Sequence, residues 1–254
     1  MRTLAVIPAR LGATRLPRKP LRLLAGLPLV VRVWQRVQSL AVAERCVIAS
    51  ESEEVVRVAR EAGAEATLTD AGHPSGTDRV AEVAARPEYR GYDAILNVQG
   101  DEPFVSAAAL RGAAGVVTAE RFPLGTAATP ATADVLGVPH VVKVVAADDG
   151  RAMYFSRAPI PFLREEAERH LLESRVWQHV GVYAYTRDAL ARWVALPPHP
   201  LERIERLEQL RPLAAGLAMG VAVISEAPRG GVDTEEDLTR ANAAWSGFAG
   251  SDQT

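Results

Sequence analysis

Arg10, Arg15, Arg18 and Lys19 crowd into the segment ARLGATRLPRKPL at residues 9–21. Guanidinium groups hold phosphate oxygens in a two-pronged fork, and an ammonium adds a compact charge. Gly12 gives this loop conformational freedom, while Pro17 and Pro20 stiffen its exit. With backbone N–H groups near a helix start, such a loop suits a polyphosphate. It is not a Walker A loop, because the G-x-x-x-x-G-K-[ST] spacing is absent. A second segment, NVQGDEP at 97–103, sets Asp101 just past an apolar run, with Gly100 permitting close approach of the backbone to a ligand. Magnesium takes hard oxygens, commonly one or two carboxylates plus phosphate oxygens. An aspartate there also reads as a turn or cap residue, and Glu102 reads either way. A third segment, GGVDTEEDL at 230–238, offers Asp233 as a second carboxylate. Beside it, Thr234 as N-cap and Asp237 three residues on make a plain helix start. In a fourth, HPSGTDRV at 73–80, Ser75, Gly76 and Thr77 either cap a helix or meet a base or phosphate through backbone groups, with Arg79 in support.

These segments need elements to hold them. TLAVIP at 3–8, RCVIAS at 45–50, EATLT at 65–69 and DAILNVQ at 93–99 read as strands. Between them, 28–41, 53–63 (closed by Gly63) and 77–86 carry apolar residues at helical spacing. This βαβα order predicts an α/β fold with a doubly wound, mainly parallel sheet. Ligands of such sheets bind at the carboxyl ends of the strands, which is where the loops after Pro8, Thr69 and Gln99 fall. After about residue 122 helices thin out. LGTAATP, HVVKVVAADDGRAMYFS and VWQHVGVYAYT read as strands, punctuated by APIPF at 158–162 and LPPHP at 196–200. That region predicts a smaller mixed-sheet lobe. LERIERLEQLRPL then reads as one helix, GVAVISE as a strand, and the stretch from about Thr234 as a closing helix. The expected organisation is one domain over 1–254, with an α/β half to about 122, a smaller lobe over about 123–232, and a closing helix over 233–254.

Composition bounds the partners. Apolar residues make up 48% and charged residues 24% of the 254, values of a globular chain with a sizeable core. The net charge of −2 leaves no general footprint for nucleic acid, so anion binding falls to local cations. The single cysteine, Cys46, sits in an apolar run, which excludes a disulfide framework or zinc cluster and suggests a core thiol. No stretch approaches the roughly 20 apolar residues of a membrane span, and a soluble cytoplasmic protein is expected.

IPARLGATRLPRKPL, HPSGTDR, NVQGDEP, VVKVV, YFSRAPIP, HVGVY, PLERIERLEQLR and GVDTEEDL occur in that order, nearly end to end. Together they resemble the 3-deoxy-manno-octulosonate cytidylyltransferases, or CMP-Kdo synthetases. The resemblance implies a nucleotide-diphospho-sugar transferase fold, a homodimer, and the joining of CMP from CTP to the octulosonic acid (Kdo) with release of pyrophosphate. By position it implies that Arg10 and Lys19, with Arg15 nearby, hold the triphosphate. Ser75, Gly76 and Arg79 would meet the nucleotide and Gln99 the cytosine or sugar side. Asp101 and Asp233 would hold magnesium. Arg157, His179, Tyr183 and Glu208, with Gln209 a further candidate, would face the acidic sugar. This chain departs from the family pattern at Ala13 (usually serine), Arg18 (usually glycine) and Gln178 (often arginine).

The implied chemistry is in-line attack of the anomeric hydroxyl on the α-phosphorus, in which neutralising and positioning two anions is the main task. No dedicated general base is evident. His179 could serve as one, although a hydrogen bond to a sugar hydroxyl fits it better, and taken alone it reads as a core residue; Arg157 reads as a carboxylate fork or as a surface or dimer-interface arginine. Tyr183 and the helix carrying Glu208 could equally be packing elements. Rival readings are a cytidylyltransferase for another acidic or amino-substituted ulosonic acid, a transferase for a sugar phosphate, and a glycosyltransferase, whose usual aspartate-x-aspartate motif is missing. A non-catalytic nucleotide sensor is a further alternative, since fold alone does not exclude it.

Overall fold

The computed structural model describes residues 1–131, 133–173 and 175–251. In chain order the elements are β1 (Thr3–Ala9), the short ribbon β2 (Leu23–Leu24) and β3 (Leu27–Pro28), α1 (Leu29–Ser39), β4 (Arg45–Ser50), α2 (Glu53–Glu61), β5 (Ala66–Leu68), α3 (Gly76–Ala85) and β6 (Ala94–Asn97). There follow α4 (Ala107–Thr118), β7 (Leu124–Pro130), α5 (Ala133–Leu136), β8 (Lys143–Ala146), β9 (Ala152–Ser156), α6 (Arg169–Glu173), β10 (Trp177–Thr186), α7 (Arg187–Ala195), α8 (Pro200–Glu205), α9 (Leu210–Ala214), β11 (Met219–Val223) and α10 (Glu235–Ser251). The chain forms two compact units. The first is Arg2–Val105 with the chain from Arg229 onward, and the second is Ser106–Pro228. Residues 252–254, placed in the closing helix from sequence, lie outside the described residues.

In the first unit β6, β1, β4 and β5 run parallel, in that order. Every residue of β1 is buried, as is every residue of β6, which is why both read as unbroken apolar runs rather than alternating ones. Ser52 and Ser75 cap α2 and α3 by accepting from Val55 N and Asp78 N. Gly63, at φ 83°, ends the second helical segment as its sequence predicts. The α10 helix closes the unit. Leu238 and Ala241 pack with Leu16, Leu24, Leu29 and Val232, so the apolar residue inside the basic loop, Leu16, anchors that loop.

In the second unit the strand order is β11, β7, β10, β8, β9. The β11–β7 pair is parallel and the rest antiparallel. The sheet of this unit is therefore mixed, whereas that of the first is parallel. The α4 helix lies on β7, β10 and β11 and goes with this unit. A side chain at Gly125 would meet the Ala113 carbonyl at 2.3 Å, so glycine is required where the helix crosses β7. One expectation fails. LERIERLEQLRPL is two helices, because Arg206 turns left-handed at φ 55° and breaks the run between α8 and α9. The Glu/Arg spacing is helical on both sides, but Arg211 pairs with Glu202 across the break in a fork at 2.6 and 2.8 Å, pinning α9 to α8.

Candidate active site

The first unit gathers its ionisable side chains where β1 and β6 end. Leaving β1, the basic loop is tied down when Leu11 N donates to Glu51 Oε1 at 2.9 Å. Arg10 and Arg15 are exposed on it. Arg18 has φ 58° and ψ 31°, a left-handed backbone that a glycine adopts without cost, and pairs with Glu54 at 2.6 Å. That placement turns Lys19 inward. Its ammonium bonds Asp101 Oδ2 and lies 2.9 Å from Asp233 Oδ1. Arg15 reaches the other oxygen of Asp233 at 3.0 Å. Burial works to lower the Lys19 pKa, but the two aspartates outweigh it and the net shift is upward.

Two glycines make this convergence possible. A Cβ on Gly100 would come within 2.8 Å of the Pro8 carbonyl, so only glycine lets the Asp101 loop lie against the end of β1. A Cβ on Gly231 would come within 2.8 Å of Glu102 Oε1 and 3.1 Å of the Asp101 carbonyl. Val232 N donates to that carbonyl at 2.8 Å and fixes the two acidic loops to each other. Asp237 accepts from Asp233 N and Thr234 N at 3.0 and 2.9 Å while Thr234 Oγ1 accepts from Asp237 N, so the expected helix start is present and leaves the Asp233 carboxylate to the cluster. Glu102 is the residue that sequence alone left undecided. Burial, then repulsion from Asp101 and Asp233, raises its pKa to about 8. Two carboxylates, Asp101 and Asp233, thus meet at one ammonium with Glu102 close by, hard oxygens too few to cage a metal on their own, and among the described residues no group of three or more His, Cys, Asp or Glu side chains could hold one. Two carboxylates are a donor set magnesium uses when phosphate completes its shell.

The remaining first-unit candidates divide. Ser75 Oγ donates to Asp78 Oδ2 at 2.6 Å as well as capping α3, and Gly76 lies against Pro8. Gln99 Nε2 donates to Asn97 Oδ1 at 3.2 Å. Arg79 is buried, bonds Thr69 Oγ1 and pairs with Glu51 at 2.9 Å. Glu51 in turn receives Leu11 N, so Arg79 braces the basic loop through a carboxylate.

In the second unit, Arg157, His179, Tyr183, Glu208 and Gln209 are neighbours of β10 or of the α8–α9 turn. Arg157 Nε donates to the Glu205 carbonyl at 2.8 Å and Nη1 to the Pro139 carbonyl at 3.1 Å. Its own N–H donates to the Glu205 carboxylate at 2.9 Å, which also accepts from Ser156 Oγ at 2.6 Å. Lys143 is fully buried and its ammonium is clasped by the carbonyls of Val138, Val141 and Arg157 at 3.0, 2.7 and 2.7 Å. Burial lowers its pKa. Sequence reasoning passed over Lys143 and Glu205. The signal for Lys143 was a lone charge inside VVKVV; Glu205 had none. The His179 ring meets Phe155 edge-on at 4.9 Å and Tyr183 at 5.5 Å, and burial pushes its pKa down to about 3. Burial raises the Tyr183 pKa, and the charge of Glu208 adds to the shift. Gln209 is 2% exposed and its Nε2 is buried without a hydrogen-bond partner. A donor left so is costly unless a ligand completes it.

A family model described as cytidylyltransferase matches residues 4–220. The 3-deoxy-manno-octulosonate cytidylyltransferase of Gemmatimonas aurantiaca is 62% identical over 96% of this chain and 95% of its own length. The protein of the same name from Parvibaculum lavamentivorans is 44% identical over 95% and 92%. Among solved structures, a CMP:2-keto-3-deoxy-manno-octonic acid synthetase complexed with CTP superposes with a TM-score of 0.88 at 34% identity, covering 97% of this chain and 99% of that one.

Proposed function

The chain belongs to the cytidylyltransferase family, among the 3-deoxy-manno-octulosonate cytidylyltransferases, and on that premise we propose that it transfers CMP from CTP to the anomeric hydroxyl of 3-deoxy-manno-octulosonate and releases pyrophosphate. The observation that carries the reading is the meeting of Asp101 and Asp233 on one cation, Lys19, at the foot of a basic loop. Asp101 and Asp233 are the residues that would hold magnesium, with Glu102 beside them. When bound there, the ion supplies Lewis acidity toward the α-phosphate and the sugar hydroxyl. Arg10 and Arg15 neutralise the triphosphate, and Lys19, on a flexible stem, offers its charge to the departing pyrophosphate. Ser75, Gly76 and Gln99 read the nucleotide, while Arg79 keeps the loop in place.

The sugar falls to the second unit. The Arg157 guanidinium keeps N–H groups beyond those given to Glu205, Pro139 and Arg206, and these suit the sugar carboxylate. The orphaned Gln209 Nε2 and the Tyr183 hydroxyl are donors for sugar oxygens. We further read the protein as a cytoplasmic homodimer that activates the sugar for lipopolysaccharide assembly. Among the described residues no helix is long and apolar enough to cross a membrane.

Pyrophosphate release, followed with each of the four NTPs and a panel of octulosonic, nonulosonic and phosphorylated sugars, tests the reading. Turnover should require CTP, 3-deoxy-manno-octulosonate and magnesium together, and chelation should stop it. Faster turnover with another ulosonic acid would reassign the substrate. Nucleotide binding without turnover on any sugar would leave only a sensor.

A further inference from the structure

β10 and β7 pair as His179 with Ala128 and Val180 with Ala127, and then Tyr183 with Thr126. Gly181 and Val182 have no partner across the ladder. This bulge shortens the distance along β7 between the partners of two candidate sugar residues, so Thr126, the ladder partner of Tyr183, also meets the His179 ring with its side chain. Thr126 is fully buried.

Its hydroxyl has three neighbours and one proton. Val182 O lies 2.7 Å from Oγ1, Val180 O 3.4 Å and His179 Nε2 2.9 Å. Carbonyl oxygens only accept, so the hydroxyl proton must point at the bulge carbonyls. Oγ1 then meets His179 Nε2 with a lone pair, and the imidazole must be the donor. The opposite assignment would press two lone-pair-bearing oxygens together at 2.7 Å. Burial keeps the ring neutral at working pH, so a proton on Nε2 leaves a bare lone pair on Nδ1. The backbone adds rigidity, since His179 N donates to Val142 O at 2.8 Å.

We propose that Thr126 is a positioning residue that locks His179 in the Nε2–H tautomer, so that Nδ1 is offered as a hydrogen-bond acceptor to a hydroxyl of the acidic sugar. The sugar part rests on the functional reading above; the tautomer part does not. His179 is on this account neither general base nor general acid. A threonine read from sequence as one more strand residue sets the polarity of a substrate contact.

The test uses the full chain with 15N-labelled histidine. Two-bond proton–nitrogen correlation spectra at neutral pH report the tautomer of each of the five histidines, and a His179→Gln variant identifies the resonance. The expected spectrum shows a protonated Nε2 and a bare Nδ1 for His179. Thr126→Val keeps the branched shape but removes the acceptor. It should populate the other tautomer and raise the octulosonate KM about tenfold with kcat and the CTP KM within about twofold, the cost of losing one hydrogen bond. Thr126→Ser should restore both tautomer and KM. A proton on Nδ1 in the unaltered protein, or a tautomer indifferent to Thr126→Val, overturns the proposal. If the valine variant does not fold, the unaltered protein and the serine variant still decide the tautomer. A tautomer that shifts without moving the octulosonate KM upholds the lock and removes His179 from the sugar site, which separates this inference from the functional reading.

Discussion

Lys19 in the first unit is held by two carboxylates, while Lys143 in the second is held by three backbone carbonyls and, among the described residues, no charge at bonding distance. The contrast extends to their neighbours. Lys19, Arg15, Asp101 and Asp233 are ionised partners of one another through side chains alone, so on the proposed reading an incoming triphosphate or metal would trade places with them. Second-unit groups are neutral or clasped by main chain, and their directions are set before any ligand arrives. On the proposed reading, charged groups that would rearrange with each turnover sit where solvent reaches them, while groups that would recognise the sugar lie in or against the sheet, where reorganisation costs most.

Removing a charge from the exchangeable cluster should give the largest effect. Asp101→Asn is expected to cut kcat by about a thousandfold or more, with the melting temperature within about 4 °C of the parent. Near-normal turnover would end the acidic-pair account. The two lysines give the sharpest contrast, because the same substitution should fail in opposite ways. Lys143→Met strands the three carbonyls gathered around this fully buried side chain and should lower unfolding free energy by about 3 kcal/mol in urea titrations. Lys19→Met should cost about 1 kcal/mol or less yet slow turnover about a hundredfold, and added magnesium should recover the lost stability. Equal stability losses would erase the distinction between the units. Arg157→Ala should raise the octulosonate KM about tenfold in steady-state assays while leaving the CTP KM unmoved; matched rises would deny it the carboxylate. Smallest is Arg18→Gly. It relieves a left-handed backbone that costs a side-chain-bearing residue about 1 kcal/mol and gives up only an exposed pair to Glu54. A gain of under about 1 kcal/mol in thermal unfolding is the expected outcome.

The same contrast governs what the sequence discloses. Strands β1, β4 and β6 are legible because burial on both faces leaves no alternation to misread. The basic loop and Asp101 are legible because charge beside a buried strand is conspicuous. The chemistry of the second unit is harder to see, since its signal lies in the main chain. Nothing in LERIERLEQLRPL announces the left-handed Arg206 that splits the helix, because the side chains on either side still repeat at helical spacing. Thr126 looks like any β-branched strand residue until the bulge opposite it is known. Arg79 reads as an anion ligand by type, and only tertiary packing shows that its guanidinium is spent on Thr69 and Glu51.

The Val232–Asp101 backbone bond joins a late stretch of polypeptide to an early one. Synthesis runs from the amino end, and segments near that end can fold while later ones are still emerging from the ribosome. The basic loop and its first aspartate could therefore be in place, able to attract phosphates, well before Asp233 is translated. On the proposed reading that Asp101 and Asp233 act together, a growing chain would stay chemically silent until the segment after Arg229 docks, and the acidic centre would itself report that translation had reached the closing helix.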